Sequence, residues 1–392
     1  LKIDNFRFIM AMFMYLHRRK LIMFILNPPY ISELLVNTIK KNKYKTLKNS
    51  AAENLGINEV LIDDKQAVDY AENHQNFKLY TNSENSIEWI MNNLKSADIP
   101  EKVTLFKDKA KFRDLLKNIY PDFYYKEILY EDLEKLNTEE LKFPFVLKPA
   151  IGFLSFGVYP IRTKEEFNTA INKLSSDIQN FKDIFPKEVV NSSRFLIEQM
   201  AEGDEFAIDA YYNSKGEAVI LNIFHHPFLD ENDVSDRVYY TSKKVIKDNL
   251  DRFNELLEKI GEAADLKNFP MHIELRADGN NIIPIEVNPM RFAGWCDTDL
   301  AYWAYGINVY EYYMNDKKPD WKNILDNKGD ELYYFLSAEV PSSLDKNKIK
   351  SVNYDKFIAC LESPLEIRKT DYKTKPLFAI VFGKSKNINE IK

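Results

Sequence analysis

Apolar and polar positions divide this chain into short elements of two alternating kinds. Leu21–Leu26 is a continuous apolar run of strand length, and Ile31–Lys41 has helical spacing. Val60–Ile62 and Lys78–Tyr80 read as further strands and Ser86–Leu94 as a helix, which predicts a small α/β sheet. Beyond Pro100, Lys107–Lys117 reads as one helix with a basic first half. Phe143–Lys148 is a strand, Tyr159–Arg162 can pair back on it, and Glu165–Ser175 suits a helix. Phe195–Glu198 is a strand entering a loop at Ala201–Asp204, and Phe206–Tyr212 with Ala218–Phe224 forms a hairpin around Asn213–Gly216. Leu250–Ala264 reads as a helix. Near the C-terminus, Tyr333–Ala338 and Leu377–Phe382 are strands, with a helix around Tyr354–Leu361.

The alternation is most informative in His272–Gly294, HIELRADGNNIIPIEVNPMRFAG. Two β-rich runs flank a turn at Asp278-Gly279-Asn280-Asn281. Side chains two apart on a strand share a face, so His272, Glu274 and Arg276 point one way and Met271, Ile273 and Leu275 the other. Glu286 and Asn288 share a face on the returning strand. Pairing the strands can bring Glu274, Glu286 and Asn288 together. Three hard oxygen donors without cysteine suit Mg²⁺ or Mn²⁺ held partly by nucleotide phosphates. An amphipathic hairpin with a solvated face has the same alternation.

Length and composition narrow the class. The 392 residues, 45% hydrophobic and 14% aromatic, allow two or three domains with large cores. A formal net charge of −6 argues against a nucleic-acid surface as the main function. Only Cys296 and Cys360 are present, without CxxC spacing, which excludes a cysteine-rich zinc module or disulfide scaffold and fits a reducing cytoplasm. Phe8–Leu16 breaks at His17-Arg18-Arg19-Lys20, so neither it nor Leu21–Leu26 reaches the length of a membrane span. No membrane partner is expected, and residues 1–22 are read as an N-terminal extension outside the fold.

Two loops carry further chemistry. Lys148 closes a strand before Ala150–Val158, AIGFLSFGV, where Gly152, Ser155 and Gly157 can present backbone N–H groups to phosphates. Val158 follows the last glycine, so this is not a Walker A loop. The turn after the first strand, Asn27-Pro28-Pro29-Tyr30, lacks the glycines of a dinucleotide fingerprint. His225 and His226 end a strand at the presumed cleft, with structural and phosphate-binding roles both open. Lys243 and Lys244 read as a solvated loop, a phosphate contact being the alternative. Trp295, Asp297 and Asp299 are candidates for selecting a substrate, or for packing and helix capping.

The series FKDK, FPFVLKPAIGFLSFGV, FLIEQMAEGDEFAID and HIELR…IPIEVNPMRFAG resembles the ATP-grasp superfamily of carboxylate–amine ligases across about 100–310. That resemblance implies an α/β chain in five parts. These are the extension 1–22, a Rossmann-like pre-ATP-grasp domain 23–100, a small lobe or lid 101–198, a large lobe with the metal site 199–310, and a small α+β extension 311–392. It further implies that Lys109 and Lys148 contact ATP phosphates, with Lys107 competing for the first contact, and that Gly152–Gly157 closes over them. Glu198 and the backbone of Gln199, Met200 and Ala201 would hold adenine, and Glu205 the ribose hydroxyls. Glu274, Glu286 and Asn288 would carry Mg²⁺ or Mn²⁺, and Arg291 would be the reaction-centre cation. Arg291 follows Asn-Pro-Met, one residue longer than the family's common Asn-x-Arg.

The implied reaction is ADP-forming ligation of a small carboxylate, such as an amino acid or peptide, to an amine through an acyl phosphate. A bicarbonate-activating carboxylase and a non-catalytic nucleotide-binding protein are the alternatives. The resemblance alone favours a homodimer acting on small-molecule substrates, with no nucleic acid.

Overall fold

Ile22–Ile25 (β1) is apolar at every position because both of its faces are covered. The computed structural model describes residues 22–391, apart from 73–76, 96–97, 152–156, 181–193, 229–236, 342 and 376. Two expected phosphate-loop residues, Gly152 and Ser155, therefore lie outside the described residues, as does the extension through residue 21. β1 sits between Lys45–Leu47 (β2) and Lys78–Thr81 (β4), and Leu61–Ile62 (β3) completes a parallel sheet in the order β3-β2-β1-β4. The helix Glu33–Asn42 starts where the Ser32 hydroxyl accepts from Leu35 N at 3.2 Å, and it ends on left-handed Lys43.

A second sheet is antiparallel and built from Tyr125–Leu129 (β5), Phe145–Pro149 (β6), Tyr159–Ile161 (β7) and Arg194–Gln199 (β8), in the order β5-β8-β6-β7. The helix Lys164–Asn180 lays Phe167, Ile171 and Leu174 against Phe145, Leu147 and Ile197, giving this lobe its own core.

The third sheet contains Asp204–Tyr212 (β9), Ala218–His226 (β10), Val238–Ser242 (β11), Phe269–Asp278 (β12), Asn281–Pro289 (β13), Leu332–Glu339 (β14), Pro364–Lys369 (β15) and Leu377–Ser385 (β16). Its antiparallel order is β13-β12-β9-β10-β11-β14-β16-β15, so the C-terminal strands extend the sheet that carries the acidic hairpin. The helix Lys243–Ala263 covers one face with Phe253, Leu256, Leu257 and Ile260. Among the described residues, no helix is long and apolar enough to cross a membrane.

Two sequence expectations change here. Lys107–Lys117 is not one helix: Ile99–Lys107 stops and Lys109–Leu116 starts afresh after Asp108, whose side chain caps the second helix. Lys243 and Lys244 are the first turn of a helix rather than a loop, because Ser242 caps it by accepting from Val245 N at 3.1 Å.

The parallel sheet and the large antiparallel sheet share one apolar core. Tyr80 lies 5.2 Å from the Phe292 ring and 5.3 Å from that of Tyr310, and Thr81 N donates to Met290 O at 2.8 Å. The aromatic richness of the chain is concentrated at this seam, where a tyrosine buries a ring while its hydroxyl finds a partner. Tyr211 donates to Lys317 O at 2.7 Å, and Tyr313 Oη lies 2.7 Å from Asn268 O.

Gly203 turns the chain from β8 into β9 with φ +96, and a Cβ there would lie 2.2 Å from Ala277 O and 2.4 Å from Ala277 C on β12. Both the backbone angle and the rigid neighbour oppose a side chain. Gly203→Ala should therefore destabilise the fold by roughly 1–3 kcal/mol, as for overpacking of a tight contact. Urea unfolding measures this, and an unchanged midpoint would disprove the close approach.

Candidate active site

Strand register builds a polar grid on one face of the large sheet. Glu274 on β12 is directly opposite Glu286 on β13, and His272 is opposite Asn288. The His272 row continues through Asp209 on β9 to Asn222 on β10. A row further along, Arg276 faces Glu205 and Glu205 faces His226. The opposite face carries Ile273, Leu275, Ile208 and Ile223, all buried in the core. A bulge at Ile285 lets Glu286 stay opposite Glu274 while the hairpin continues to its turn.

The grid is internally bonded. His272 Nδ1 lies 2.8 Å from Asp209 Oδ1, and its Nε2 lies 3.7 Å from Glu274 Oε1. Asn288 Nδ2 donates to Glu274 Oε1 at 3.5 Å, leaving Asn288 Oδ1 buried with no partner. Glu205 accepts from Arg276 at 3.1 Å and lies 3.2 Å from His226 Nδ1. Neither histidine of the expected pair is isolated: His225 Nδ1 lies 2.6 Å from Tyr240 Oη, and burial lowers its pKa. The two carboxylates and the unsatisfied amide oxygen of Asn288 fit a hard divalent cation. Among the described residues no group of three or more His, Cys, Asp or Glu is arranged to hold a metal ion. Such an ion would thus also rely on nucleotide oxygens.

A cation reaches this face from the helix Lys109–Leu116, which lies in the chain between the first two sheets. Asp108 Oδ1 accepts from Ala110 N at 3.1 Å and Lys111 N at 3.3 Å, while Arg194 pairs with Oδ2. Lys109 N donates to Ala150 O at 2.8 Å, tying the helix start to the end of β6. The Lys109 side chain then reaches Glu286, Nζ to Oε2 3.0 Å. Lys148 on β6 pairs with Glu198 Oε1, and Arg113 Nε donates to Glu198 Oε2 at 2.7 Å. All three groups are buried. Burial opposes ionisation of Glu198, yet Arg113 and Lys148 outweigh it and hold the carboxyl down at about 2. Burial also lowers Lys148, against the pull of Glu198 and with Arg113 and Lys109 adding to the fall. Arg113 carries no motif, and its only sequence signal is its place four residues after Lys109 on the helix.

Arg291 is held from the first sheet. Its Nη2 donates to Glu84 Oε1 at 2.8 Å, and Lys107 Nζ lies 2.8 Å from Glu84 Oε2. Lys107 and Lys109 thus serve different partners. Met290, the extra residue before Arg291, takes a left-handed backbone (φ 65), is fully buried, and accepts from Thr81 N. The longer spacing is a local bulge fastened to β4. Glu84 had no signal in the sequence beyond its position after a short strand.

The remaining expected residues line the lobe boundary. Gln199 N donates to Tyr124 O at 2.8 Å, Met200 and Ala201 follow it into the Gly203 turn, and Gly157 (φ +72) precedes β7. Beyond Arg291, Trp295 (φ 53) and Cys296 (φ 58) are both left-handed, a conformation costing on the order of 1 kcal/mol or more at each non-glycine residue. Arg368 on β15 compensates by donating to Cys296 O at 3.0 Å and Asp299 Oδ2 at 2.7 Å. The C-terminal segment therefore secures the loop beside the site.

Residues 141–299 match the ATP-grasp domain family. No curated protein sequence matches the chain significantly. The fold is similar to L-amino acid ligase from Bacillus licheniformis, at 16% identity and TM-score 0.66, covering 94% of both chains. Biotin carboxylase from Campylobacter jejuni is similar at 14% identity and TM-score 0.62, covering 96% of this chain and 90% of that one. N5-carboxyaminoimidazole ribonucleotide synthetase from Thermotoga maritima is similar at 13% identity and TM-score 0.59, covering 94% of both.

Glu84 and Glu198 both have carboxyls held at about 2 against an ordinary 4.5. Unfolding would let them bind protons below about pH 4.5, so their stabilisation is complete above that and lost as pH falls toward about 2. Glu198→Gln should lower stability near neutral pH and flatten the decline across that acid window. Urea unfolding at stepped pH reads both effects, and an unchanged slope would remove Glu198 from the acid response.

Proposed function

We propose that this chain, which carries an ATP-grasp domain at residues 141–299, is an ADP-forming ligase joining a small carboxylate to an amine. The observation that supports this best is the ion pair between Lys109 and Glu286. It brings a cation from the segment between the first two sheets to the oxygen donors on the third, where a triphosphate would need both.

In this reading Lys109 and Lys148 neutralise ATP phosphates, and Glu198 positions Lys148. Because both Glu198 oxygens are engaged by Lys148 and Arg113, adenine recognition falls to the backbone of Gln199, Met200 and Ala201. Gly152, Ser155 and Gly157 remain the proposed phosphate loop. Glu205, fixed by Arg276 and His226, receives the ribose hydroxyls. Glu274, Glu286 and Asn288 would hold Mg²⁺ or Mn²⁺, which when bound offsets charge on the transferred phosphoryl group.

The substrate carboxylate attacks the γ-phosphorus, giving an acyl phosphate and ADP. A neutral amine then attacks the carbonyl carbon, a proton leaves the nitrogen, and phosphate departs with the C–O bond electrons. Arg291 stabilises the oxyanion of that second step, aimed by Glu84 and the Met290 bulge.

The test is ATP turnover with Mg²⁺ against pooled carboxylates and amines, resolving ADP from AMP. ADP and phosphate should form only when a carboxylate and an amine are both present. Glu286→Gln should cut the rate by on the order of a hundredfold or more, the scale of losing a charge-stabilising group. AMP as product would exclude the acyl phosphate, and ADP formation requiring bicarbonate without amine would replace the ligase by a carboxylase.

A further inference from the structure

Buried polar atoms without partners gather on the far side of the grid from the Glu205 row. Asp209 is fully buried; its Oδ1 accepts from Ala293 N at 2.8 Å and lies at the same distance from His272, but its Oδ2 has no partner. Across the strand pair, Asn222 Nδ2 is also unpartnered. In the loop that begins at Ala293, Asp297 Oδ1 and Thr298 Oγ1 are buried and unpartnered too. Native interiors rarely leave such groups unsatisfied, so a cluster of them marks a place for something else to bond.

The kind of partner follows from the atoms. Acceptors predominate: two carboxylate oxygens and a hydroxyl oxygen stand against a single donor, Asn222 Nδ2. Arg368 is the cation beside this loop, but it is spent on Asp299, Glu366 and the Trp295 and Cys296 carbonyls. A visiting group must therefore bring several N–H donors and positive charge.

We propose that Asp209, Asp297 and Thr298 form a subsite for the ammonium group of an amino-acid-type substrate. This rests on the ligase reading above and names its substrate class. Burial pushes the Asp297 carboxyl up to about 8; Arg368 pulls it down, while Asp299, Asp209 and Glu366 add to the rise. The empty site thus favours the protonated carboxyl, and an arriving ammonium favours the carboxylate, releasing that proton to solvent. The strained Trp295–Cys296 turn and its Arg368 clamp serve to place Asp297 inward, immediately after the residues that follow Arg291.

The experiment is calorimetric binding to the full chain with Mg²⁺ and a non-hydrolysable ATP analogue. One ligand panel is amino-acid methyl esters, which keep the ammonium and lose the carboxylate. The other is N-acetyl amino acids, which do the reverse. At least one ester should bind, and Asp297→Asn should weaken it by about tenfold or more, as expected for losing a charge-assisted hydrogen bond. Thr298→Val should also weaken it while leaving the empty protein at least as stable, since it deletes an unsatisfied hydroxyl. Equal ester affinity in wild type and both variants would overturn the subsite, as would binding of N-acetyl acids alone or of neither panel. Esters that bind in this pattern to a protein without turnover would uphold the subsite and count against the ligase reading only.

Discussion

The backbone hydrogen bond from Thr81 to the Met290 carbonyl fixes the relation between the parallel sheet and the acidic hairpin. A left-handed methionine is unfavourable alone, and the surrounding aromatic seam holds it there. Because Thr81 closes β4 and Glu84 follows it, the same bond places a carboxylate against Arg291. It also starts the chain into Ala293, whose N–H docks on Asp209. Arg291 is thus oriented from both sides before any substrate arrives. In the proposed ligase, that preorganisation would serve the developing oxyanion.

Charge burial explains the rest of the site's arrangement. A lysine and an arginine sharing one glutamate on the small lobe would be unstable if any one were left alone in a dry interior. Together they form a buried, mutually paired set. On the large sheet the same principle runs the other way. The Glu205 row is bonded within itself by Arg276 and His226, whereas the Asp209 row retains unsatisfied oxygens. Only the second row has polar atoms left over for a further group.

The parts of this fold legible in the sequence are those set by local periodicity. A continuous apolar run marked β1, and period-two alternation placed Glu274, Glu286 and Asn288 on one face of a hairpin. The helix break at Asp108 was hidden because KDKAKFRDLLK has helical composition throughout. Only the capping geometry and the docking of Lys109 N on Ala150 reveal the new start. Strand β11 was missed beside residues that read as a polar loop, and Lys243 looked solvated because its cap, Ser242, ends that strand. Arg113, Glu84 and Arg368 were invisible for another reason. Each acts on a partner more than sixty residues away, and no spacing rule connects such pairs.

That division has a consequence for how function is distributed over the molecule. Residues legible from spacing are those to which the proposed ligase reading gives phosphate and charge, chemistry common to any nucleotide-dependent transfer. Residues that required coordinates hold those groups in place or line the Asp297 loop, where two left-handed residues are stabilised by an arginine from the C-terminal strand β15. A strained turn clamped from a distant segment can change its inward-facing side chains without disturbing the hairpin that precedes it. In the proposed ligase, substrate choice would then be free to change at 295–299 and 366–368 while the acidic grid stays intact.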